Sequence, residues 1–490
     1  MIEPIATGWI LLGCGILLAV SAMLSRASQG IGIPVFLLFL ILGMLAGSEG
    51  PGGIIFESYD LGFRIGLVAL ALILFDGGLN TPYESVKRSI GPALVLSTVG
   101  VVGTMLIVAL FAYYLGFPLL IALLAGAIVS STDAAAVFST LRAGGVRLKR
   151  RVGTTLELES GLNDPVAVIL TIGLTHGLLS EQALSVWLVA DVVWQLAIGG
   201  LLGLGTGFLG RKLLQRMELL TGGLYPVLTL AIAFLAFGLT TLLNGSGFLA
   251  VYLAGLVIGN GWFPYRSGVQ RFHDATAWLS QVSMFILLGL LVFPSELLTV
   301  ALPGILLAAV LVFIARPLVV AICLLPFGFP IRETLFVGWI GLRGAVPIVL
   351  AIYPVLAQVP GSQQLFNVVF FIVVLTAIIP GGTVSWVARR LNLASDEPAP
   401  PRAMIEIDSL IPISGQVSSY FVHANSAVSN SAIRDLPLSD RDSVLLVLRG
   451  DALIVPRGST VLEPGDHVYV FCQTGDAGIL NLLFGRQEIQ

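Results

Sequence analysis

Charge is what this sequence has least of. Asp, Glu, Lys and Arg together make up 11% of its 490 residues, whereas soluble domains carry roughly 25%. That scarcity excludes an ordinary water-soluble enzyme or binding module. Cysteine is scarcer still. Cys14, Cys323 and Cys472 stand alone with no paired spacing, which excludes a disulfide framework and a cysteine-ligated zinc site. The four histidines are scattered and no H-E-x-x-H occurs, so an intramembrane metalloenzyme finds no support. No T-V-G-Y-G segment is present, so a cation channel lacks its carbonyl filter. A receptor that transports nothing would have no use for buried ionisable residues, and this chain has several. A net charge of −3 says little about partners, because the sign changes from segment to segment.

What the chain has in abundance is apolar sequence, 56% of it. Runs of about twenty apolar residues recur, each long enough to cross a bilayer. Broken at charged or Gly/Pro-rich turns, they give thirteen expected spans, at 5–25, 30–47, 61–80, 90–114, 117–141, 152–179, 186–209, 224–244, 247–260, 273–293, 298–325, 332–356 and 364–388. The first has no A-x-A-like site after it and reads as a retained helix rather than a cleaved signal. Loops after odd-numbered spans hold the cations: Arg26, Lys87, Arg88, Arg142, Arg147, Lys149, Arg150, Arg151, Arg211, Lys212, Arg216, Arg266, Arg271, Arg332, Arg389 and Arg390. Loops after even-numbered spans hold no Lys or Arg and carry Glu49, Glu57, Asp60, Glu181 and Glu296. The positive-inside rule then puts the N-terminus outside and the C-terminus in the cytoplasm of a cell inner (plasma) membrane protein. A G-x-G-x-x-G match, Gly205–Gly210, lies inside the seventh span. It lacks the preceding strand a dinucleotide fingerprint needs and reads as close helix packing through small residues.

Composition changes after Arg390. Residues 1–393 form the expected membrane domain and 394–403 a Pro-rich linker. Residues 404–490 form a small α+β cytoplasmic domain, its short β-branched runs "SYFVHA", "SVLLVLRG", "ALIVP" and "HVYVFC" separated by turn residues and followed by one short helix. The fold class is an all-α polytopic membrane protein with a small α+β tail.

Few ionisable residues lie deep in the spans, and each costs several kcal/mol there unless it is paired or functional. Asp133 and Asp164 fall near mid-depth in spans five and six, Arg343 in span twelve and Asp76 in span three, with Arg316 a further buried cation in span eleven. Ser160 and Asp164 are four residues apart, as are Glu159 and Asn163, so each pair shares a helix face. Together they offer hard oxygen ligands for a monovalent cation, and a buried carboxylate that holds either the cation or a proton is the minimum machinery of exchange. Arg343 needs neutralising, and Glu159 is the expected structural partner. Glu157, nearer the cytoplasmic end, reads as a funnel residue. Asp76 reads as accessory or as a packing contact with Asn80, and His176 as an interfacial residue. Spans five ("SSTDAAA") and twelve ("GLRGAVP") are each interrupted by small or polar residues. They run in opposite directions, which points to inverted repeats with two broken helices crossing at a substrate site.

These same motifs, "FDGGL", "STDAAAVFS", "ESGLNDP" and "GLRGAVP" in order, resemble the NhaP-type monovalent cation:proton antiporters over residues 1 to about 390. The resemblance implies alternate proton and cation binding at Asp164, with Asn163, Ser160, Thr132 and Asp133 around it and Glu159 paired with Arg343. Electrogenic relatives have a second Asp where this chain has Asn163, so the resemblance implies electroneutral one-for-one exchange, with Asp133 staying ionised. It also implies a homodimer in which a six-helix core moves against a scaffold, a role in pH homeostasis, and no cofactor. The tail resembles the regulator-of-potassium-conductance C-terminal (TrkA-C) module. That implies regulation and tilts the cation from Na+ towards K+. It also implies a nucleotide or cyclic dinucleotide as ligand, with His423, Arg434 and Arg449 the candidate contacts. A ligand-gated channel and a Na+-selective antiporter are the competing readings.

Overall fold

The computed structural model describes residues 3–31, 34–180, 186–217, 219–395, 415–439, 442–450, 452–473 and 477–484. Up to Arg390 the regular elements are helices, as a bilayer demands of any chain that must satisfy its backbone internally. Among the described residues, eight helices are long and apolar enough to cross a membrane, and a ninth span arises when the bent pair Leu119–Ser130 and Ala134–Ala143 counts as one. That is fewer than the thirteen expected. The remaining apolar runs are helical too, but they are short, broken or polar. Val35–Ala46 and Gly247–Gly259 are short apolar helices. Arg266–Leu290 opens on a turn rich in polar side chains. The twelfth run is split into Ile331–Trp339 and Ala345–Leu356.

The two breaks follow from their residues. Ser131 and Asp133 take extended backbone angles between the half-helices, which bend by 44°. The Asp133 carboxylate restarts the helix by accepting the Ala136 N–H at 3.0 Å, a standard cap. In the other break, 340–344 leaves the helical path. Pro347 then stands in the first turn of the new helix, where its missing N–H has no partner to lose.

Small residues let helices meet backbone to backbone. A Cβ on Gly78 would lie 2.9 Å from the Leu256 nitrogen, so the Tyr59–Asn80 and Gly247–Gly259 helices tolerate no side chain there. The glycines of 205–210 lie within the Val186–Arg216 helix. A Cβ on Gly207 would sit 2.9 Å from the Ala254 Cα, so this motif serves packing.

The chain just after the last membrane helix is tied to the loop that joins the broken helix to Arg150–Ser180. The Lys149 backbone N–H donates to the Leu393 carbonyl at 3.0 Å, the Ser395 backbone N–H donates to the Arg147 carbonyl at 2.7 Å, and Leu148 bridges Ala394 antiparallel. Ala394 and Ser395, expected as linker, are therefore held by the membrane domain. The rest of that linker, and the tail as far as Ser414, lie outside the described residues.

The tail is a four-stranded antiparallel sheet of strands β1 Gly415–Phe421, β2 Ser443–Arg449, β3 Ala452–Ile454 and β4 His467–Gln473, in the order β1-β4-β2-β3, with a bulge in β2 between Val444 and Leu446. The Ala477–Phe484 helix closes its core with Leu480 and Phe484 against Tyr420, Val447, Val468 and Val470.

Candidate functional site

The two helix breaks meet. The Asp133 N–H donates to the Leu342 carbonyl at 2.9 Å, joining the extended segments of spans five and twelve. A Cβ on Gly344 would lie 2.7 Å from the Asp133 Cγ, so only glycine lets the second break approach this carboxylate. Asp133 thus caps the start of Ala134–Ala143 and abuts Gly344, the residue before Ala345–Leu356. Its carboxyl group sits at the positive ends of two half-helices, a position that favours an anion.

The Arg150–Ser180 helix brings the other expected residues to this junction. Asp164 is 8% exposed, and its Oδ1 accepts the Ser131 hydroxyl at 2.5 Å. Asn163 donates through Nδ2 to the Thr132 hydroxyl oxygen at 2.6 Å, while its buried Oδ1 has no partner. The Ser160 hydroxyl donates to the Thr132 carbonyl at 2.9 Å and accepts the Ala134 N–H at 3.1 Å. It pins both sides of the break. Pro165 offers no N–H to the Gly161 carbonyl one turn back, so the helix is locally short of a donor beside Asp164. Asp133, Thr132, Ser160, Asn163 and Asp164 are therefore one connected cluster. Among the described residues, no Lys or Arg forms an ion pair with Asp164. The site offers a buried carboxylate, an uncommitted amide oxygen and hydroxyl groups, which is the donor set a dehydrated monovalent cation takes.

The expected ion pair needs correcting. Glu159 binds Arg316, with Arg316 Nη1 to Oε1 at 2.5 Å and Nη2 to Oε2 at 2.9 Å. Arg343 is fully buried, and none of its guanidinium nitrogens has a hydrogen-bond partner. The charges of Glu159 and Arg316 both act on it, but it is not the partner. The reason lies in the eleventh span, where a π-helical turn at Leu311–Ala315 immediately precedes Arg316. The extra residue in such a turn rotates the following side chains around the helix and presents Arg316 to Glu159.

Asp76 and His176 are bonded elsewhere. Asp76 accepts Asn80 Nδ2 at 2.9 Å, and Gln270 reaches Asn80 at 3.4 Å. Glu157 is half-buried and senses the charge of Arg142. His176 meets the Tyr353 hydroxyl at 2.8 Å. In the tail, Arg449 is committed within its own domain. It donates twice to Asp466 at 2.8 Å, once to the Val461 carbonyl at 2.8 Å, and also to Glu463. The Asp466 carboxylate holds its guanidinium above the ordinary range, so it is an internal brace rather than a free ligand contact. His423 is exposed beside Phe421, and Arg434 is exposed beside Asp435.

Sequence reasoning passed over Ser131, the Leu342 carbonyl, Gly344 and the pairing of Arg316. The polar run Ser130–Asp133 carried a signal for Ser131, and the glycine of "GLRG" one for Gly344. Nothing local marked Leu342 or the partner of Arg316.

A model of the transmembrane sodium/hydrogen exchangers matches residues 16–390. The chain belongs to that family. A TrkA-C domain matches residues 417–483 of this exchanger. The exchanger is 43% identical to the K(+)/H(+) antiporter NhaP of Alkalimonas amylolytica, over 94% of this chain and 81% of that protein. It is 40% identical to K(+)/H(+) antiporter NhaP2 of Shewanella sp. (strain ANA-3), over 96% of this chain and 82% of that protein. Its fold is similar to that of the sodium proton antiporter MjNhaP1 from Methanocaldococcus jannaschii at pH 8. That similarity has a TM-score of 0.68 and 25% identity, over 80% of this chain and 99% of the other.

Proposed function

We propose that this exchanger performs electroneutral K+/H+ antiport, one cation for one proton, with Asp164 holding the two alternately. The observation that carries the reading is the buried Asp164 carboxylate at the junction of two helix breaks, bonded to a hydroxyl and paired with no Lys or Arg among the described residues. A carboxylate in that position must take up a positive charge to lie comfortably in low dielectric, and a proton and a K+ ion are alternatives. Asn163 supports the one-for-one count, since an amide at that position cannot carry a second proton. Asp133 stays ionised, because its charge answers two helix N-termini. K+ is favoured over Na+ because the relatives at 43% and 40% identity are named for K+. The N-terminus faces outward and the tail lies in the cytoplasm of the cell membrane, where it regulates a homodimer whose exchange serves pH homeostasis.

The test is proton movement in proteoliposomes driven by a K+ gradient, with the potential set by a permeant anion such as thiocyanate. One net charge across 100 mV is worth about 2.3 kcal/mol, or roughly fiftyfold in an equilibrium ratio. Electroneutral exchange leaves the final pH gradient indifferent to that potential. A gradient that follows the potential overturns the one-for-one count. Asp164→Asn should abolish exchange while eluting as a folded protein, since the amide cycles neither ion. Substantial K+-driven proton flux in that variant overturns the assignment.

A further inference from the structure

A second site lies away from the crossing. A cavity of about 570 Å³ opens between four helices, Glu3–Ile31, Val35–Ala46, Ala134–Ala143 and Arg266–Leu290. Leu18, Val35, Phe39, Leu279 and Val282 make its wall apolar, with Trp278 beside them. Its polar side chains are those of Ser21, Ser25, Ser139 and Trp278, and its one charged lining residue is Arg142.

Two features of that lining call for an occupant. Arg142 is exposed in the last turn of its helix and forms no ion pair within 4 Å among the described residues. Its charge is felt by Glu157 only at longer range. Ser21 is 1% exposed, yet its hydroxyl has no hydrogen-bond partner. A buried hydroxyl left unpaired is unfavourable, and this one lines the cavity.

We propose that the cavity binds one anionic phospholipid, its phosphate on Arg142 and its glycerol or ester oxygens on Ser21, with an acyl chain along Leu18, Phe39 and Leu279. The chemistry of the lining decides the class. An apolar wall with a single cation among its lining residues suits an anionic amphiphile rather than a soluble anion, which would gain nothing from the wall. It also rejects a free metal cation, which Arg142 repels. The orientation proposed above places the site in the cytoplasmic leaflet. Leu18 and Ala22 on the first helix are exposed, so a lipid has a lateral way in. The consequence for transport is geometric. Arg142 and Ser139 belong to the same ten-residue helix that Asp133 caps, so an occupied cavity braces one end of the element whose other end forms the cation junction.

The experiment is native mass spectrometry of the whole protein after incubation with an equimolar mixture of phosphatidylcholine and phosphatidylglycerol. The wild type should retain a single phosphatidylglycerol in preference to phosphatidylcholine. Arg142→Gln should lower that retention roughly tenfold, the scale of one charge-assisted hydrogen bond, and Arg142→Lys should keep most of it. Arg150→Gln, a change at an exposed cation outside the cavity, should keep it all. Equal retention of both lipids by the wild type, undiminished phosphatidylglycerol on Arg142→Gln, or the same loss in Arg150→Gln would each overturn the proposal. Elution as a monodisperse peak shows that a variant is folded, and because the readout is bound mass, a failure of the antiport reading leaves this test intact.

Discussion

Replacing Arg316 by Met strands a carboxylate in the middle of the membrane domain. The side chains of Arg316 and Glu159 are 4% and 1% exposed and share two hydrogen bonds, at 2.5 and 2.9 Å. Breaking a buried pair by removing one partner costs about 3–5 kcal/mol, because the remaining charge loses its compensation while water stays excluded. Arg343, which already acts electrostatically on this pair, offsets part of the loss, so the lower end of that range is expected. Removing both charges with Glu159→Gln and Arg316→Met together should recover most of it, since a neutral pair of similar volume has no charge to desolvate. Arg343→Met should cost less than Arg316→Met, because the guanidinium it removes has no hydrogen-bond partner to leave behind. The assay is heat unfolding of detergent-purified protein, read as the folded fraction on size exclusion. A double-mutant cycle with Glu159→Gln is made for each arginine. A coupling energy of about 2 kcal/mol or more should appear for Arg316 and a smaller one for Arg343. The reverse order would refute the pairing and return Arg343 to the role expected from sequence.

Three further outcomes follow from the geometry. Gly344→Ala should abolish exchange without unfolding the protein, since its methyl group would lie 2.7 Å from the Asp133 Cγ and push the two breaks apart; wild-type flux would deny that the breaks must touch. Ser131→Ala removes the hydroxyl that Asp164 accepts at 2.5 Å and should raise the half-maximal cation concentration roughly tenfold; an unchanged value in a flux titration would make that hydroxyl irrelevant to the site. Arg449→Ala leaves the buried Asp466 without its two bonds from the guanidinium. With Arg449 itself one-third exposed, the tail should lose about 2–3 kcal/mol. Amide hydrogen exchange in β2 and β4 of the full-length protein should report it, and undiminished protection would show that Asp466 finds other donors.

Much of the site was legible because burial is expensive. In apolar runs a carboxylate such as Asp164 stands out at once, and the i, i+4 spacing of Ser160 and Asp164 puts both on one face whatever the rest of the chain does. The interruptions at Ser130–Asp133 and Gly341–Gly344 were equally plain, since small and polar residues at mid-depth break a helix locally. The tail strands declared themselves through β-branched runs between turn residues. The number of spans was less legible. A run of twenty apolar residues fixes length, but whether it forms one continuous helix, as Arg150–Ser180 does, or two half-helices, as 332–356 does, depends on what packs against it.

The ion pair was decided only by the tertiary structure. Sequence placed two arginines and one buried glutamate at similar depth and could not rank them. Pro317, which offers no N–H to the Phe313 carbonyl, marks a local irregularity at the π-helical turn before Arg316, but it does not say which way the Arg316 side chain then faces. The meeting of Asp133 with Leu342 is of the same kind. Each break is written in its own few residues, but a backbone N–H and a carbonyl two hundred positions away carry no mark of one another. Their contact exists only because the intervening helices are packed closely enough to bring two unpaired backbone groups together inside a membrane, where each would otherwise go unsatisfied.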